Sequence, residues 1–149
     1  MKIFISIVVF MLTNSLICVP HTFAQCLEDI CTDGYRTETL EDGSIYKGYW
    51  NNGKQEGQGT MKWPNGCEYT GDWINGKMSG EGTMTWPGGD IYVGEWQNNL
   101  MNGQGTYIWL NGDEYIGEWV DGVQDGNGSY SVASGEYFSG EFLDGEMLR

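Results

Sequence analysis

Tyr69-Thr70-Gly71-Asp72-Trp73-Ile74-Asn75-Gly76-Lys77-Met78-Ser79-Gly80-Glu81-Gly82-Thr83 is the stretch that decides the fold. Its frame returns every 23 residues. Tyr46, Tyr69, Tyr92, Tyr115 and Phe138 share one column, Gly48, Gly71, Gly94, Gly117 and Gly140 the next, and Trp50, Trp73, Trp96, Trp119 and Phe142 a third. Further columns hold Gly57, Gly80, Gly103 and Gly126, then Gly59, Gly82, Gly105 and Gly128, then Trp63, Trp86, Trp109 and Val132. A fixed period of this length marks stacked structural repeats. The complete units are 46–68, 69–91, 92–114 and 115–137, with partial units at 34–45 and 138–149. In the first partial unit Arg36 stands where a glycine belongs.

Each unit reads as a β-hairpin. Tyr46 to Trp50 alternates, with Tyr46, Gly48 and Trp50 on one side, and Asn51-Asn52-Gly53 ends the strand because these residues tolerate positive φ. Gly59 to Trp63 alternates again, and Pro64-Asn65-Gly66 turns the chain. Short strands at this density predict an all-β fold, an elongated single-layer antiparallel sheet of tandem hairpins. Glycine normally weakens a strand. Glycines kept in register point to a neighbouring aromatic ring lying flat over the bare backbone. Each unit then touches mainly its neighbours.

The pattern Tyr-x-Gly-x-Trp-x-x-Gly-Lys-x-x-Gly-x-Gly, as it stands in residues 69–83, resembles the MORN repeat (membrane occupation and recognition nexus). The resemblance covers about 34–149. Later units depart from it: Asn99 and Leu100 replace the Gly-Lys pair, and Val123 and Glu146 replace the lysine. The resemblance implies an array of antiparallel hairpins used in scaffolding, dimerisation and protein contact, with phospholipid binding also attached to the family.

Residues 1–24 read as a secretory leader, with Lys2, an apolar run from Ile3 to Val19, and small residues before a cleavage point after Ala24. The expectation is an exported chain, secreted or periplasmic, with residues 25–33 as an N-terminal cap or linker. The chain carries a net charge of −14. Its lysines cluster at Lys47, Lys54, Lys62 and Lys77, and residues 78–149 carry twelve acids against Arg149. Such a balance argues against nucleic acid and against anionic lipid as partners. Cys26 and Cys31 are close enough in sequence to form a small disulfide loop in an oxidising compartment, leaving Cys67 odd. His21 is the chain's sole histidine and falls in the leader, so neither a Ser-His-Asp triad nor a zinc site is expected. No cofactor, metal or enzymatic activity is expected.

The candidate binding residues are the aromatics Tyr46, Trp50, Trp63, Tyr69, Trp73, Trp86, Tyr92, Trp96, Trp109, Tyr115 and Trp119. They read either as a face for a peptide, lipid or glycan, or as the core of a thin sheet, since large aromatics dominate burial in small domains. The acidic column Asp72, Glu95, Glu118 and Glu141 reads as a solvated face rather than a calcium site, because members one repeat apart are ~10 Å from each other. The expected function is a non-catalytic protein-interaction or scaffold module, with membrane-surface or glycan binding as the alternative. Its partner is an unidentified protein or a second copy, met through a sheet end or through the aromatic face.

Overall fold

The computed structural model describes residues 33–148. The leader, the Cys26–Cys31 pairing and Arg149 lie outside them. The chain runs β1 (Gly34–Thr39), β2 (Ile45–Asn51), β3 (Lys54–Lys62), β4 (Glu68–Ile74), β5 (Lys77–Thr85), β6 (Ile91–Gln97), β7 (Leu100–Ile108), β8 (Glu114–Val120), β9 (Val123–Ser131), β10 (Tyr137–Leu143) and β11 (Glu146–Met147). These strands form one antiparallel sheet in strict chain order, and no helix occurs among the described residues.

Two turn types alternate. Within a unit the strands join through two residues in the left-handed region, Asn52–Gly53, Asn75–Gly76, Asn98–Asn99 and Asp121–Gly122. This is the turn whose twist matches that of the strands it joins. Between units the chain turns through Trp63–Cys67, Trp86–Asp90 and Trp109–Asp113. There the tryptophan N–H donates to the last residue's carbonyl (3.0 Å in all three) and the glycine N–H donates back to the tryptophan carbonyl (2.9 Å).

The second strand of each unit begins earlier than the sequence pattern indicates, at Lys54 rather than Gly59. Trp63 falls just past its end. The extra length accommodates a bulge. Gly48 pairs with Gly59 but Trp50 pairs with Gln55, so one residue of β2 faces three of β3. Gly57 sits in that bulge at a φ of 67°. The same irregularity recurs between β4 and β5, β6 and β7, and β8 and β9. Bulges bend a strand and increase its twist.

The two faces of the sheet differ. On the aromatic face the four tyrosines Tyr46, Tyr69, Tyr92 and Tyr115 are wholly buried, and Trp50, Trp73, Trp96 and Trp119 nearly so. A single sheet hides such large rings because glycine removes the side chains beneath them. A Cβ added to Gly82 would stand 2.5 Å from two carbons of the Tyr69 ring, and one added to Gly71 would stand 2.5 Å from the Gly82 backbone. The opposite, open face carries Ile45, Val93 and Ile116, each more than two-fifths exposed, among threonines and charges.

Candidate functional site

The tyrosine column is clamped. Tyr69 meets Trp73 of its own unit and Trp96 of the next edge-to-face, both at 5.3 Å between ring centroids. Tyr46 and Tyr92 repeat the arrangement at 5.2–5.3 Å. Each such pair contributes ~0.5–1.5 kcal/mol beyond its buried area. The polar tips are satisfied internally, except the buried Trp50 indole N–H, which has no partner. Each tyrosine hydroxyl donates to a carbonyl three residues on, as Tyr69 does to Asp72 at 3.0 Å. Trp73, Trp96 and Trp119 donate their indole N–H to Gly59, Gly82 and Gly105. Burial pushes the Tyr46 hydroxyl up to about 12, and it raises Tyr69, Tyr92 and Tyr115 in the same direction.

Of the eleven candidate aromatics, these eight are therefore enclosed and present no ring face to a ligand. The remaining three, Trp63, Trp86 and Trp109, are half-buried at the turns that join units. They form a row along the edge of the aromatic face. Between and beyond them lie Tyr107 and Tyr130, giving a run of ring contacts from Trp86 to Tyr107 (5.4 Å), Tyr107 to Trp109 (4.7 Å) and Trp109 to Tyr130 (5.4 Å). Tyr107 and Tyr130 went unrecognised in the sequence because Met61 and Met84 occupy their column in earlier units.

A carboxylate stands behind each of those two tyrosines. Asp90 accepts from the Tyr107 hydroxyl (3.0 Å) and from the Leu110 N–H (2.8 Å). Asp113 accepts from the Tyr130 hydroxyl (2.8 Å) and from the Ala133 N–H (2.9 Å). These staples join one inter-unit turn to the next. Hydrogen bonds from Ala133, Tyr130 and Asn111 hold the Asp113 carboxyl below the usual range. Burial and the bond to Asp90 push the Tyr107 hydroxyl up to about 12, and the bond to Asp113 raises Tyr130. Earlier units lack the staple for a readable reason. Pro64 and Pro87 stand where Leu110 and Ala133 donate, and proline has no N–H. In the aspartate column those units carry Ser44 and Cys67 instead. Cys67 packs against the core as a free thiol.

The acidic column also has structural work. On the open face, Asp72 accepts the Glu81 N–H (3.1 Å) and Glu95 accepts the Gln104 N–H (2.9 Å), so these carboxylates cap backbone donors freed by the bulges. Gln58 donates its side-chain amide to Asp72 as well. Among the described residues no group of His, Cys, Asp and Glu is placed to hold a metal ion. Lys47, Lys54, Lys62 and Lys77 all fall on the open face, over β2, β3 and β5, with Lys62 paired to Glu68 at 2.9 Å. No described residue beyond Lys77 is a lysine or arginine.

The family model for the MORN repeat matches residues 46–68, 69–91, 92–114 and 115–137. No curated protein matches the chain. Among solved structures, the chain is similar to the SAS-4 (dCPAP) TCP domain in complex with a proline-rich motif of Ana2 (dSTIL) of Drosophila melanogaster. That likeness has 12% identity and a TM-score of 0.31, over 83% of this chain and 86% of that one.

Proposed function

The chain belongs to the MORN-repeat family, and from that premise we propose that it is an exported, non-catalytic module that holds protein partners on a rigid repeat scaffold. The observation that carries this reading is the open face. It is broad, regular and solvent-facing, and its charge is divided along its length. The lysines Lys47, Lys54, Lys62 and Lys77 lie at one end. Glu95, Glu118 and Glu141 run toward the other, beside the exposed apolar side chains Val93, Ile116 and Val120. Segregated charge sets the orientation of a partner and speeds its encounter. The reading that all eleven aromatics line a ligand face is not retained, because eight of them form the core.

The non-catalytic part draws support from the absence of histidine from the described residues, and from acids that recur by repeat logic and cap bulges. Export rests on the leader-like residues 1–24. The test is capture from the native source with tagged full-length protein, followed by cross-linking to map the contact. The expected outcome is one specific partner, cross-linked through open-face lysines and lost on charge reversal of Lys47 and Lys62. A partner whose binding ignores that reversal and cross-links elsewhere would remove the open face from the reading.

A further inference from the structure

We propose that the row of Trp63, Trp86 and Trp109, filled in by Tyr107 and Tyr130, binds a neutral β-1,4-linked glycan lying along the repeat axis. This site lies on the face opposite the one assigned to protein contact and stands apart from that reading.

The first support is pitch. The three tryptophans occupy the same position in three successive turns, each anchored by the same pair of backbone bonds. They are therefore displaced from one another by one unit, or two strands, which is ~10 Å. Two residues of a β-1,4-linked hexose chain span the same length, because each sugar is flipped relative to the last. Every second sugar would then present the same face to successive tryptophans. Between Trp86 and Trp109 the Tyr107 ring, 5.4 Å from the first and 4.7 Å from the second, offers a further contact to the intermediate sugar, and Met84 holds that column one unit earlier.

The second support is charge. From β2 to β10, the strand positions that face the aromatic side carry no Lys, Arg, Asp or Glu. The chain as a whole is at −14. An aromatic strip whose bordering charges are the Asp90 and Asp113 carboxylates, with no cation beside it, suits a neutral ligand and disfavours anionic lipid and sulfated or uronic glycans.

The third support is the polar border. The Asp90 carboxylate is fixed beside the strip by two bonds and the Asp113 carboxylate by three. A carboxylate accepts more hydrogen bonds than that, so each retains capacity for a sugar hydroxyl. An apolar ring face with an adjacent fixed acceptor matches the two sides of a hexose, one of C–H groups and one of hydroxyls. A lipid tail would leave those acceptors unused.

The experiment is titration of the full-length protein with cellohexaose and chitohexaose, with a β-1,3-linked glucose hexamer as control and phosphatidylcholine vesicles as a competing ligand. We expect at least one β-1,4 hexamer to shift tryptophan emission and to bind ten-fold or more tighter than the β-1,3 hexamer. We also expect it to shield tryptophan from iodide quenching in the unmodified protein, a readout that needs no variant. Trp86→Ala and Trp109→Ala should each weaken binding at least ten-fold. Asp90→Asn, which keeps an acceptor, should weaken it less, and Ile74→Ala, an exposed position on the open face, should leave it unchanged. No binding of either β-1,4 hexamer at millimolar concentration, equal affinity for the β-1,3 control, or binding to vesicles alone would each overturn the proposal. Any of those results leaves the protein-interaction reading standing.

Discussion

The guanidinium of Arg36 lies over the indole of Trp50, its central carbon 4.2 Å from the ring centroid. Every later column tryptophan instead packs against a glycine of the preceding unit. Arg36 stands in that glycine column, also pairs with Glu38 at 2.8 Å, and closes the exposed end of the aromatic stack. A cation held over tryptophan contributes ~0.5–2 kcal/mol, depending on its exposure. Arg36→Ala should lower stability by about 1 kcal/mol in urea unfolding, with fraying confined by hydrogen exchange to β1 and β2. An effect spread evenly across the sheet would contradict the capping role.

Gly82→Ala should be among the most damaging single changes. Its Cβ would enter the Tyr69 ring, which is held between two tryptophans and cannot move aside. Overpacking of this kind costs ~1–3 kcal/mol and sometimes more. Gly88, in an inter-unit turn, has nothing within 4 Å of the same added atom. Gly88→Ala should stay within about 0.5 kcal/mol of the parent. Urea midpoints of the two variants provide the comparison, and equal midpoints would refute the close-packing account.

Alkali should unfold the sheet before it ionises the buried rings singly. The folded hydroxyls of Tyr46 and Tyr107 are raised to about 12, and those of Tyr69, Tyr92, Tyr115 and Tyr130 are raised too. A raised folded value means stability fully present below the unfolded tyrosine value of about 10. That stability is lost as pH climbs from there through the folded value. Tyrosinate absorbance and near-ultraviolet circular dichroism should change together between about pH 10 and 12. Ionisation with circular dichroism unchanged would count against enclosed rings.

The Asp–Tyr staple should be transplantable only as a set. Cys67→Asp alone places a carboxylate where Pro87 offers no N–H and Met84 no hydroxyl, and should destabilise. Adding Met84→Tyr and Pro87→Leu supplies both donors, so the triple variant should recover stability. The predicted coupling is ~1 kcal/mol or more, read from a mutant cycle. Additivity of the three changes would show that the staple contributes nothing. In the unmodified protein, Asp113→Asn should remove stability that is present above the ordinary carboxylate range and lost as pH falls through the lowered Asp113 value.

The repeat period alone specified the hairpins, the strand order and the ring-on-glycine packing, because identical units can stack in few ways. It did not reveal the bulges. Gly57 and its counterparts read as ordinary turn glycines until the register shows three residues facing one. It also did not sort the tryptophans. Trp50 and Trp63 are the same residue type on the same face, yet one is 6% exposed and the other borders a turn. Tyr107 and Tyr130 were hidden by methionines in the same column. The signal that could have found them was the joint change of Met to Tyr, Cys to Asp and Pro to Leu or Ala at fixed offsets.

Strict chain order in the sheet has a mechanical corollary. With neighbouring strands joined by short turns and the two ends of the described chain at opposite edges of the sheet, a pull along the array loads hydrogen bonds one pair at a time. A protein so built yields like a strip being unpeeled, lengthening in small steps at low force and re-forming from whichever units stay closed.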